Sequence, residues 1–146
     1  EYRPTDVVLV VNGVRFRARK AEPGVETEPG LLVYRFESRL FFANADYFAT
    51  RLRALVDGAA HPVSWLVLDL VSTGDVDYTA GIILAASVER LQRMGVVVAL
   101  AQVEDVRDSL DRLGITERVG VGHIFESVQD AIDAYRAAAR GAGPRG

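Results

Sequence analysis

The sequence predicts an α/β fold in which a mixed, mainly parallel sheet is surrounded by helices. Three observations carry this. Trp65–Leu70 and Val96–Ala101 are near-continuous apolar runs, as expected of strands buried on both faces. Each strand-like run from Leu31 onward is followed by a segment with helical periodicity, the order that builds parallel neighbours joined by right-handed crossovers. Near the start, VVLVV and VRF flank Asn12-Gly13 between Asp6 and Arg17, the strongest short hairpin signal, which adds an antiparallel edge.

The elements follow in order. Arg17 to Gly30 is charged, contains Pro23, Gly24, Pro29 and Gly30, and reads as a loop. Leu31–Phe36 is a strand. Asn44 is placed to cap a helix from Ala45 to about Val56, with Phe48, Leu52 and Leu55 on one face. After the Trp65–Leu70 strand, Asp77 caps a helix whose Ile83, Ser87 and Leu91 share a stripe with Ala80, Leu84 and Met94, and Gly95 ends it. Past Val96–Ala101, Asp105 opens a short helix carrying Val106, Leu110 and Leu113, closed by Gly114 at the C′ position. His123–Phe125 is a short strand. Ser127-x-x-Asp130 resembles a capping box, and the last helix turns Val128, Ala131, Ile132 and Tyr135 inward. From Gly141 the chain reads as a frayed tail.

Composition narrows the function classes. The 146 residues suit one ordinary domain, and 49% hydrophobic with 25% charged residues is the soluble globular class. A net charge of −3 gives no reason to expect nucleic acid. With no cysteine there is neither a disulfide framework nor a thiolate metal site. No apolar run reaches the roughly 18 residues needed to cross a bilayer. The chain begins at Glu1 rather than methionine, so it is expected to be a piece of a larger protein.

The segment from Trp65 to Met94 concentrates the functional signal. It places the Asp77 carboxylate and the Thr79 hydroxyl at a helix mouth beyond a strand's carboxyl end, where open α/β sheets hold ligands and partners. No nucleophile–base pair accompanies them. His61 and His123 stand without a second ligand or a catalytic partner at suggestive spacing, so a site that is recognised or switched is expected, without turnover. The plain reading of Asp77 is a helix N-cap. A phosphate cradle at the same helix start is opposed by Asp75 and Asp77, and neither phosphate-loop pattern is present; Gly74 and Gly81 are isolated. Phe41-Phe42 reads as core, with Phe41 also able to meet a neighbouring domain. Arg15, Arg17, Arg19 and Lys20 read as a solvated loop, with anionic lipid as the lesser reading.

Three pieces of the chain together resemble the STAS domain: Pro29–Phe36 with Leu40–Phe48, the strand WLVLDL with Asp77-Tyr78-Thr79-Ala80, and Gly95–Val103 with Leu113–Ile115. The resemblance is to the version at the cytoplasmic C-terminus of SulP-family anion (sulfate) permeases. The FANA segment, Phe42–Ala45, is its most specific part, because anti-sigma-factor antagonists of the same fold lack it. It implies an N-terminal hairpin and linker over residues 1–28, the STAS domain over 29–140 and a flexible tail over 141–146. It further implies a membrane span upstream of Glu1, a place on the cytoplasmic side of the inner membrane, and the transporter's own membrane domain as partner. A regulatory protein is a further partner it allows, and the isolated domain is expected to be monomeric. No cofactor is required, and GDP or GTP is the nucleotide class the family suggests, with Ser72, Thr73, Gly74, Asp75, Tyr78 and Thr79 as the candidate site. Thr79 stands where stand-alone antagonists carry a serine phosphorylated by a kinase, although Ala80 follows it where those proteins have glycine. Two rival expectations remain: a soluble anti-sigma-factor antagonist switched at Thr79, and a weak nucleotide hydrolase.

Overall fold

The computed structural model describes residues 5–141. Six strands form one sheet in the order β2-β1-β3-β4-β5-β6. The strands are β1 (Asp6–Asn12), β2 (Arg15–Lys20), β3 (Leu31–Phe36), β4 (Trp65–Asp69), β5 (Val97–Ala101) and β6 (Ile124–Phe125). β1 runs antiparallel to β2 and β3, and β3 to β6 are parallel to one another. Helices α1 (Phe42–Asp57), α2 (Tyr78–Arg93), α3 (Arg107–Arg112), α4 (Ile115–Val119) and α5 (Val128–Gly141), with a short 3-10 turn at Val121–His123, complete the elements of the described residues. The expected α/β architecture with a mixed, mainly parallel sheet is therefore present.

Side-chain alternation splits the core in two. Leu32, Tyr34, Leu66, Leu68, Val98 and Leu100 face α1 to α4 and pack with Phe48, Leu52, Leu84 and Leu110. Leu31, Val33, Trp65, Val67 and Ala99 face the other way, where Val128, Ala131, Ile132 and Tyr135 of α5 cover them. β4 is buried at all five positions, which explains its near-continuous apolar run, with Asp69 its one charged residue. α5 is also latched to the loop before β3. The Tyr135 hydroxyl donates to the Pro29 carbonyl at 2.7 Å and Arg136 pairs with Glu28 at 2.7 Å.

Several local readings need correction. Arg17–Lys20 is strand, so the loop is confined to residues 21–30. The hairpin pairs Asn12 with Arg15, which makes Gly13-Val14 the turn instead of Asn12-Gly13. Only Gly13 takes a positive φ there, at +67°, the placement a turn with glycine first prefers. Helix α1 begins at Phe42 with Phe41 as its N-cap, so Asn44 is the third helical residue and not the cap. Phe42 is exposed and does not join the core. Met94 is the C-cap of α2 and is also exposed, while Val88 takes the inward position missed in the stripe. α3 is capped by Val106 rather than Asp105 and stops before Gly114, whose φ of +74° suits the C′ role expected of it. A further helix, α4, follows directly after Gly114, in a stretch where the sequence pattern predicts no element.

The hairpin of β1 and β2 belongs to the same sheet as the rest, and Val8 and Ala21 contribute to the core beneath α1. The tail segment assigned to residues 141–146 lies outside the described residues from 142 onward; Gly141 is the last residue of α5.

Candidate functional site at the start of helix α2

The two connections that leave the carboxyl ends of β3 and β4 are fastened side by side. Leu40 and Val76 form a parallel bridge between them. One residue further along β4's connection stands Asp77, extended at φ −72° and ψ 165°, the backbone form of an N-cap. Its carboxylate serves both helices. Oδ1 accepts from the Ala80 amide of α2 at 2.8 Å, and Oδ2 accepts from the Phe42 amide of α1 at 3.1 Å. A single carboxylate thus holds two helix starts, where the dipoles of both favour a negative charge.

The start of α1 is closed from its own side by Asn44. The fully buried amide side chain accepts from the Phe41 amide at 3.0 Å through Oδ1 and donates to the Arg39 carbonyl at 2.8 Å through Nδ2. Within the FANA segment, Asn44 therefore orients the loop whose next amide meets Asp77. Sequence reasoning missed the Phe42–Asp77 bond, which joins residues 35 apart and has no local signal.

The predicted site residues are distributed unevenly. Thr79 is exposed, and its hydroxyl makes no hydrogen bond among the described residues. Tyr78 is 75% exposed beside it, and Ser72 is exposed in the preceding loop. Gly74 takes a positive φ of +61° in that loop. Thr73 is only 2% exposed, so the fold turns it away from any ligand at the rim. The Asp75 carboxylate accepts from the Ser109 hydroxyl of α3 at 3.3 Å. Next to Tyr78 lies a cleft of about 220 Å³ lined by Val76, Tyr78, Ser109, Arg112 and Leu113. That is below the roughly 300 Å³ at which small-molecule pockets begin. The Asp77 carboxylate already takes the Ala80 amide at this helix start, so a phosphate there would have to compete with it.

A second carboxylate near the same end of the sheet is buried. Asp69, the last residue of β4, accepts from the Val71 amide and from Nε2 of Gln102. Its Oδ2 has no hydrogen-bond partner among the described residues and lies 3.6 Å from Arg35. Burial pushes its carboxyl above the usual range, against the pull of the Val71 amide and Arg35. Gln102 holds its position with a φ of +58°, the left-handed region that non-glycine residues rarely enter. Gly81 in the first turns of α2 answers another constraint: a Cβ there would collide with the Leu113 side chain. Among the described residues no cluster of three metal-ligating side chains occurs.

The STAS-domain family model matches residues 22–131, three quarters of the chain. The chain belongs to the STAS-domain family. This STAS domain is 38% identical over 115 residues to a probable sulfate transporter of Mycobacterium tuberculosis, covering 78% of this chain and 20% of that protein. It spans about a fifth of the length of the curated relatives it matches. Among solved structures it superposes on the SulP transporter STAS domain of Vibrio cholerae with a TM-score of 0.66 at 22% identity, covering 78% of this chain and 87% of that one. On the murine Slc26a9 anion transporter the TM-score is 0.76 at 21% identity, covering 92% of this chain and 22% of that one. A putative anti-sigma factor antagonist of Thermotoga maritima has the same fold, with a TM-score of 0.62 at 16% identity, covering 73% of this chain and 88% of that one. The STAS domain is therefore homologous to those of SulP sulfate transporters and shares its fold with anti-sigma-factor antagonists. Among the described residues no helix is long and apolar enough to cross a membrane.

Proposed function

We propose that this STAS domain is the cytoplasmic regulatory module of a SulP-type sulfate or anion transporter, working by recognition and not by catalysis. The observation that carries the reading is the shared carboxylate: Asp77 holds the starts of α1 and α2 together directly beside the exposed Thr79 hydroxyl. A phosphate on Thr79 brings roughly −1.5 to −2 charge within two residues of Asp77. Like-charge repulsion then pushes the carboxylate off its bonds, and the Phe42 amide is the more exposed of the two to lose. Phe42, Tyr78 and Ile82 expose apolar surface around this point. The partner expected to read that surface is the transporter's own membrane domain or a regulatory protein bound to it.

Thr79→Glu is expected to keep the fold, shift the Phe42 amide resonance in the isolated domain, and change anion uptake by the full-length protein. Thr79→Val is expected to leave uptake as it is while removing any response to phosphorylation. Unchanged uptake with Thr79→Glu at equal expression would reduce Thr79 to an ordinary helix-start residue.

A second reading, recognition of GDP or GTP, draws on Tyr78 and Arg112 flanking the same cleft, an aromatic face next to a cation. The cleft's small volume and the Asp77 carboxylate limit it to weak binding. Amide shifts on titration with GDP or GTP, confined to residues 72–79 and 109–113, are its expected signature. Phosphate release above a buffer blank would favour the hydrolase instead. A gene without apolar helices encoded ahead of Glu1 would favour the soluble antagonist.

A further inference from the structure

The edge strand β2 is unlike every other strand among the described residues. All six of its residues are exposed, and four of them, Arg15, Arg17, Arg19 and Lys20, are cations in a chain whose net charge is −3. The pairing with β1 is unbroken from Asn12–Arg15 to Val7–Lys20, so the strand has no bulge to turn its outer edge away. Arg17 and Arg19 lie opposite Val10 and Val8, which puts Arg15, Arg17 and Arg19 on the face of the sheet that α1 covers. Phe16 and Ala18 lie on the other face. Among the described residues none of the three arginines makes an ion pair.

We propose that the free edge of β2 receives an extended segment of a partner protein that carries acidic residues at alternate positions. Residues two apart on a strand are about 7 Å apart, and a neighbouring strand lies about 4.8 Å away. Acids at alternate positions of an added strand therefore meet Arg15, Arg17 and Arg19 one to one, as favourable cross-strand pairs. Small apolar residues between them meet Phe16 and Ala18 on the opposite face. Backbone pairing supplies affinity and the arginines supply selectivity.

The geometry disfavours other occupants. A second copy of β2 would set arginine against arginine. The opposite sheet edge, β6, has only two residues. A flat anionic bilayer meets α1 first, because a helix about 10 Å across stands on the same face as the arginines. A narrow extended chain fits beside α1 where a plane does not. The proposal is independent of Thr79 and of the transporter assignment.

The test uses the 146-residue chain and a fluorescent seven-residue peptide with glutamate at every odd position and threonine or valine between. Binding is expected to weaken as salt rises. It is also expected to fall at least ~10-fold in a triple Arg15→Glu, Arg17→Glu, Arg19→Glu variant with unchanged thermal unfolding. Hydrogen exchange should show protection of alternate β2 amides in the complex, which a merely electrostatic contact would not give. Thr79→Glu should leave the peptide's affinity untouched. The proposal is overturned by no binding, by binding without that alternating protection, by equal affinity for a peptide with its glutamates in one block, or by capture on phosphatidylglycerol vesicles in place of the peptide.

Discussion

Two aspartates fasten helix α1, and they do it in opposite environments. Asp6, at the start of β1, is 3% exposed and accepts from the Tyr34 hydroxyl at 2.7 Å and from Nε of Arg51 at 2.7 Å. Arg51 also donates to the Ala21 carbonyl, so the middle of α1, two strands and the loop after β2 meet in one network. Burial, with the Asp6 charge and hydrogen bond behind it, pushes the Tyr34 phenol far above its usual range. The Arg51 guanidinium is raised by its bond to Asp6. Asp77 holds the other point on α1, its first amide, from a half-buried position at the rim of the sheet. The buried aspartate cannot lose its partners without leaving charges and a phenol unsatisfied. The rim aspartate can, because water replaces whatever it gives up. A switch belongs at the second and not the first.

Removing each carboxylate is the direct way to break this contrast. Asp6→Ala has the largest expected effect, a loss of about 3 kcal/mol in denaturant unfolding. It falls at the low end for a broken buried pair because Arg51 reaches solvent. Asp77→Ala is expected to cost roughly 1–2 kcal/mol, since two helix starts lose one acceptor, and to loosen the amides of both Phe42 and Ala80 in hydrogen exchange. A variant as damaging as Asp6→Ala would place Asp77 with the structural network and weaken the case for a switch.

Asp69 sharpens the comparison because it is buried yet poorly paired. Its folded carboxyl titrates above the unfolded value, so the native state binds the proton more readily. Between the unfolded value, near 3.9, and the higher folded one, its contribution makes stability fall as pH rises, and the cost persists at neutral pH. Asp69→Asn can keep the bonds to the Val71 amide and Gln102 while removing that charge. The expected result is an unfolding midpoint at pH 7 equal to or slightly above the parent's, with a weaker gain at acid pH. A clear loss at pH 7 would show instead that the 3.6 Å approach of Arg35 outweighs the burial.

Legibility followed the physics of each element. Asp77 as a cap was visible because a carboxylate three residues before an amide, ahead of an amphipathic run, is a local pattern. Asn44 carried the same residue-type signal and misled, because its side chain reaches back to the Phe41 amide from inside the helix. The second half of β2, Arg17–Lys20, was hidden because an edge strand can be held by hydrogen bonds to one neighbour without burying a face, so its sequence shows charge where strands usually show apolar residues. Helix α4, five residues long, is shorter than two turns and has no period to detect.

The sequence by itself determined the layers of this protein, the buried parallel strands, the amphipathic helices, the STAS resemblance and the position of the Asp77–Thr79 helix start. These depend on periodicity and capping, which are properties of neighbouring residues. Only the tertiary structure decided that Asp77 also bonds α1, that Thr73 is turned inward, that Phe42 faces solvent and that three arginines share one side of a free edge. Those outcomes depend on which loops and strands become neighbours across gaps such as the 35-position separation of Phe42 and Asp77, where sequence order carries no distance.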